Sequence, residues 1–151
     1  MTPKVPDMTP PDWTLLVVDQ AGDRSIEPVQ LQKALFLLGR NLEPEHLGGS
    51  FYRFSPYDYG PFCGDVYQDA EMLELRGLVS ITRRPETRYK LYRVTASGRT
   101  AANAFRSQLS ARAADYLRKV VEFTQRVSFN QLIRAIYKAY PEMKANSVFQ
   151  G

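Results

Sequence analysis

Five cations crowd a stretch of sixteen residues. Between Leu78 and Arg93 stand Arg83, Arg84, Arg88, Lys90 and Arg93 against one acid, Glu86, a net charge of +4. Guanidinium and ammonium groups so clustered can meet phosphate oxygens or enter a narrow minor groove, and binding built that way falls steeply with salt. These five are the candidate nucleic-acid-binding residues, with double-stranded DNA the expected partner. Charges on a hairpin also keep an exposed strand edge from pairing with another chain.

The segment just before carries the opposite sign. Phe62–Arg76 holds Asp65, Asp69, Glu71 and Glu74 against Arg76, a net of −3. Four carboxylates on one helix disfavour its entry into a groove of a polyanion. They suit a basic protein partner instead. With the corner residues Tyr57, Asp58 and Tyr59, the acids Asp65, Asp69 and Glu74 form the candidate partner-binding set. Asp65 and Asp69 share a helical face, but no further ligand follows at a recognisable spacing. The reading is therefore of a non-enzyme, with no metal and no cofactor. Cys63, the only cysteine, excludes an internal disulfide and reads as a small buried apolar residue near a helix start. His46, the only histidine, falls between Pro44 and Gly48 in what reads as a solvated loop.

Helices and turns must hold these groups. Thr9 caps a first helix from Pro10 to the stop at Gly22, and Asp12 completes a capping box. A second starts near Pro28, with Leu31, Ala34, Leu35, Leu38 and Leu42 at helical spacing and Lys33 and Arg40 off that stripe. Phe51–Phe54 reads as a short strand stopped by Ser55 and Pro56. Tyr57–Pro61 reads as a tight corner, with Asp58 capping the turn. The six aromatics Phe51, Tyr52, Phe54, Tyr57, Tyr59 and Phe62 could stack on bases, but so dense a run fits a core that locks the corner. A third helix is expected from Pro61, with Phe62, Val66, Ala70 and Leu73 inward and Gly77 ending it. Two strands, 78–84 and 88–94, then flank the turn Pro85–Thr87.

Beyond Thr95, which reads as a cap, the chain is helical. Ser110 reads as a cap or break within it, and the capping box Ser128–Gln131 opens a last helix that Pro141 ends. The fold class expected is mainly α with a small β-hairpin: a winged helix-turn-helix domain over residues 10–100, a flexible tail at 1–9, and a C-terminal helical extension at 101–151. The apolar stripes of that extension exceed the needs of a minimal winged helix and suggest a homodimer.

Charge divides the chain. Residues 1–77 carry 6 Lys/Arg and 12 Asp/Glu, and residues 78–151 carry 14 and 4, so the halves stand at −6 and +10. Either the basic half faces a polyanion or the halves attract one another. No signal peptide or membrane-length apolar run is visible, and the expected location is cytoplasmic.

Three segments carry a family resemblance: LQKALFLL at Leu31–Leu38, FSPYDYGPFCGDVYQDAEMLELRGLV at Phe54–Val79, and YRVTASGRTAA at Tyr92–Ala102. The run Leu132–Phe149 fits the same pattern. The chain resembles the YwgA-like group of winged-helix proteins and is more distantly similar to the Panacea-type antitoxin domain. The resemblance implies a winged-helix fold and no catalytic residue. It adds an antitoxin-like or adaptor role as the alternative to DNA-binding regulation.

Overall fold

The computed structural model describes residues 5–149 apart from Arg88. The chain is mainly helical, with two small antiparallel hairpins. In order it forms α1 (Pro10–Ala21), α2 (Pro28–Asn41), the single-turn α3 (Pro44–Leu47), β1 (Ser55–Tyr57), β2 (Gly60–Phe62), α4 (Gly64–Leu75), β3 (Val79–Arg83), β4 (Lys90–Val94), α5 (Ala96–Arg106), α6 (Ala111–Arg126) and α7 (Phe129–Ala139). A 3₁₀ turn, Gly22–Arg24, follows α1, and another, Pro141–Lys144, follows α7.

The helix ends follow local chemistry. Capping boxes close at Thr9 with Asp12 and at Ser128 with Gln131, while the hydroxyls of Thr95 and Ser110 accept from the backbone N–H groups of Gly98 and Ala113. α1 is buried from Trp13 to Asp19, and the Trp13 indole N–H donates to Leu47 O at 2.8 Å, tying α3 to it. The main core runs unbroken from Met8 through α1, α2, α4, β3 and β4 to Val121 of α6. It crosses residue 100 without a seam. A second cluster joins Phe36 to Leu132, Ile136 and Met143. The apolar stripes of α6 and α7 are thus largely buried within the chain itself, with Phe129 left exposed.

β3 and β4 pair in register from Val79↔Val94 to Arg83↔Lys90. Ile26, between α1 and α2, exchanges two backbone hydrogen bonds of 2.9 Å with Tyr92, adding a one-residue third strand on the β4 side. α5 comes close to the start of this hairpin. A Cβ on Gly98 would lie 1.9 Å from Leu78 O, so only glycine fits there.

The corner differs from its sequence reading. Phe51–Phe54 is not a strand; the strands are β1 and β2, joined across Asp58 and Tyr59 with Tyr57↔Gly60 closing the turn. Pro56 and Pro61, expected to stop a strand and start a helix, face each other inside this hairpin. Antiparallel pairs alternate in their need for N–H groups, and the pair next to the closing one needs none, so two prolines are tolerated there. Gly60 supplies the positive φ, +95°, with the side chains of Tyr137 and Lys33 against its Cα. The helix consequently begins at Gly64, with Cys63 as its N-cap, and Phe62 belongs to the hairpin.

Two smaller differences lie at the N-terminal side. Pro6 and Met8 are buried, and the Asp7 N–H donates to Gln108 Oε1 at 2.8 Å, so the expected free tail is packed over these residues. Residues 1–4 lie outside the described part. His46 lies in α3 rather than in an open loop, half-buried, with Nδ1 facing no partner.

Candidate interaction sites

The basic hairpin and the acidic helix meet. Both terminal guanidinium nitrogens of Arg83 donate to Glu74, Nη1 to Oε2 and Nη2 to Oε1, each at 3.0 Å. This fork holds the Glu74 carboxyl below the usual carboxylate range. Lys90 Nζ lies 3.9 Å from Glu71 Oε1. Arg93 reaches Asp23 at 3.4 Å. Arg84 has its guanidinium 4.5 Å from the centre of the Tyr89 ring. Arg88 lies outside the described residues. Three of the four described hairpin cations therefore face an acid of the chain's first half.

The same pattern continues into α5. Asp19, buried on α1, accepts from Arg99 Nε at 3.2 Å and from Arg106 at 2.8 Å. Of the two readings of the charge split, mutual attraction of the halves is the one these pairs embody.

The candidate partner residues separate into three places. Asp65 and Asp69 line a shallow hollow with Pro10, Tyr52, Arg53 and Gln68. There Tyr52 donates to Asp69 Oδ2 at 2.6 Å and shares a 2.7 Å contact with the Thr14 hydroxyl. Burial and the neighbouring Asp69 carboxylate push the Tyr52 phenol well above its ordinary value, so it stays a donor. Asp69 is thus a structural acceptor joining α4 to α1. Glu74 is committed to Arg83. Tyr57, Asp58 and Tyr59 lie apart, on the corner. Among the described residues no three acidic, histidine or cysteine side chains gather as a metal site, and no helix is long and apolar enough to cross a membrane.

The outer face of α4 holds what the charge pattern hid. At 100° per residue, Gly64, Gln68, Met72 and Leu75 fall opposite the buried Val66, Ala70 and Leu73. Met72 is 40% exposed and Leu75 is 88% exposed. Asp65, Asp69 and Arg76 edge this stripe on one side, and Glu71 and Glu74 on the other. An exposed apolar pair between carboxylates is an uncommon surface for a helix and a favourable one for a protein contact.

Lys33 is the residue the sequence reading missed. It is only 4% exposed, and its ammonium donates to Pro61 O at 3.1 Å. No carboxylate lies within 4.0 Å of it among the described residues. Burial alone brings its pKa down to about 8. Next to it Gln32 binds both backbone groups of Cys63, accepting from N–H at 3.0 Å and donating to C=O at 2.9 Å. The pair fastens the corner to α2. A signal was present: Phe36 lies three and four residues on from Lys33 and Gln32, so the flank off the main stripe was apolar too.

Above Lys33 opens a cleft of about 250 Å³ between the corner, α2, α4 and α7. Tyr57 stacks on Phe62 with centroids 5.0 Å apart, and Tyr59 meets Phe129 edge-on at 5.3 Å. All four rings line the cleft, and Tyr57, Tyr59 and Phe129 keep large exposed faces. From outside, the segment after α7 straps the corner: Val148 N–H donates to Asp58 O at 2.9 Å and Asn146 Nδ2 to Pro56 O at 3.3 Å.

No protein-family model matches the chain, and no curated protein matches it either.

Proposed function

We propose that the protein is a non-enzymatic interaction module of winged-helix architecture, which docks a basic protein segment on the outer face of α4. The observation that carries this is Leu75, nearly fully exposed beside Met72 on a helix that carries four acids and no base up to its C-cap, Arg76. The order α1, Ile26, α2, α4, β3, β4 supports the architecture, because a short strand between the first two helices that pairs with the last strand is how a winged helix assembles its sheet. In such a fold α4 takes the position that enters a major groove. Met, Leu and carboxylates on its outer face disfavour that groove and favour a groove lined by apolar and basic side chains on a protein.

The test is a photo-crosslinking amino acid at position 75, used in the native cell. The expected result is one dominant adduct with a polypeptide whose joined segment is rich in Lys or Arg, lost on Asp65→Lys and on Met72→Glu. Adducts that persist in both variants, or no adduct at all, would overturn the reading.

A second reading rests on Arg84 and Arg93. Both are exposed on the hairpin, and the Asp23 facing Arg93 is itself on the surface, so solvent screens that pair. Phosphates of duplex DNA could take these two without breaking the Arg83–Glu74 fork. Duplex binding at low salt that disappears in the Arg84→Ala, Arg93→Ala double variant supports this reading; no binding at low salt removes it.

A further inference from the structure

We propose that the corner cleft is a ligand site for a small aromatic carboxylate, with the anion on Lys33 and the ring among Tyr57, Phe62 and Phe129. This goes beyond the partner reading of α4 and uses none of the residues on that helix's outer face.

Three independent observations converge on it. The first is charge. A cation removed from water is costly unless an opposite charge or several acceptors replace the lost hydration. Lys33 has one acceptor, the Pro61 carbonyl, for three N–H donors, and no acid within reach among the described residues. A carboxylate there supplies the missing charge and the missing acceptors together.

The second is shape. Tyr57, Phe62, Tyr67 and Phe129 offer ring faces and edges around a space smaller than the roughly 300–1,000 Å³ of drug-sized sites. One ring with a short acid arm matches that space. Burial also raises the pKa of Tyr67, so its phenol stays protonated beside the cleft it lines.

The third is rigidity. The Gln32 clamp on Cys63, the Pro56–Pro61 hairpin and the strap from Asn146 and Val148 fix the walls before any ligand arrives. A site held in place needs little ordering on binding. Asp58 is the one acid on the rim. It opposes an anion and so sets the affinity low.

The full chain, ¹⁵N-labelled, is titrated with phenylacetate and with its neutral isostere phenylacetamide. Phenylacetate is expected to shift the amides of Gly60, Tyr67 and Phe129 saturably, with a Kd on the order of 1 mM, and phenylacetamide to bind about tenfold more weakly. Lys33→Met should bring phenylacetate down to the amide's affinity and leave the amide unchanged. Phe129→Ala, at an exposed position, should weaken both probes equally. The proposal fails if phenylacetate causes no saturable shifts at the cleft. It fails equally if acid and amide bind alike, or if Lys33→Met holds phenylacetate undiminished.

Discussion

At the hairpin, Arg83 and Lys90 stand at the surface with carboxylates 3.0 and 3.9 Å away. At the corner, Lys33 is withdrawn from water with no carboxylate within 4.0 Å among the described residues. The arrangement is the reverse of what stability alone favours, since water already serves an exposed cation and a buried one needs a counter-charge most. The hairpin pairs therefore act mainly to dock β3 and β4 on α4 and to quench the positive field that the hairpin would otherwise project. The corner cation is a cost the fold carries, and a carried cost at a cleft points to use.

The largest effect is expected at the clamp beside Lys33. Gln32→Leu strands the buried N–H of Cys63 and takes one of two donors from its C=O, which keeps the Val66 N–H; losses of about 2 and about 1 kcal/mol should together cost about 3 kcal/mol in urea unfolding. A loss under about 1 kcal/mol would mean that the corner is held from elsewhere.

Lys33→Met should act in the opposite direction. The fall in pKa from 10.5 to about 8 corresponds to about 3 kcal/mol of cost for the charged form. Removal of the donor to Pro61 O returns about 1 kcal/mol, so a net gain of about 2 kcal/mol is expected at pH 7. Between pH 8 and 10.5 the unfolded lysine holds a proton that the folded one has lost, so wild-type stability rises with pH and the advantage of the Lys33→Met variant shrinks. Above about pH 10 the sign reverses. Tyr52 and Tyr92 have pKa values raised by burial, so they ionise first in the unfolded chain and stability falls. A wild-type pH–stability curve without a rise above pH 8 would break the contrast.

At the hairpin the effects are smaller and appear in binding rather than folding. Glu71→Gln with Glu74→Gln frees Lys90 and Arg83, and should strengthen low-salt duplex binding several-fold with a steeper salt slope. An unchanged slope would mean that those carboxylates do not restrain the hairpin. Arg83→Ala alone should leave the unfolding midpoint nearly where it is, because the pair is solvent-screened.

The helices were legible because their signals are local. Thr9 and Ser128 cap where their spacing to Asp12 and Gln131 says they should, and Thr95 and Ser110 cap with their hydroxyls alone. The β3–β4 hairpin was legible from alternation and a turn. The corner was not, because proline there is part of an element rather than punctuation between two. Whether Pro56 and Pro61 end an element or face each other within one depends on register, which is a property of two strands and not of either. The pairing of Glu74 with Arg83 and the burial of Lys33 were hidden for a related reason. Each depends on which face of a helix a second element covers, and residue spacing gives the faces but not their neighbours.

The Cβ-less approach of Gly98 to Leu78 O leaves no tolerated alternative, and Thr95 three residues earlier both caps α5 and donates to Gly77 O at 2.6 Å. The four-residue string Thr-x-x-Gly directly after a hairpin, with a glycine some twenty positions upstream where the preceding helix stops, is thus a compact fingerprint. In this chain it joins the helix start, the hairpin base and the preceding helix stop through one side chain and one missing Cβ.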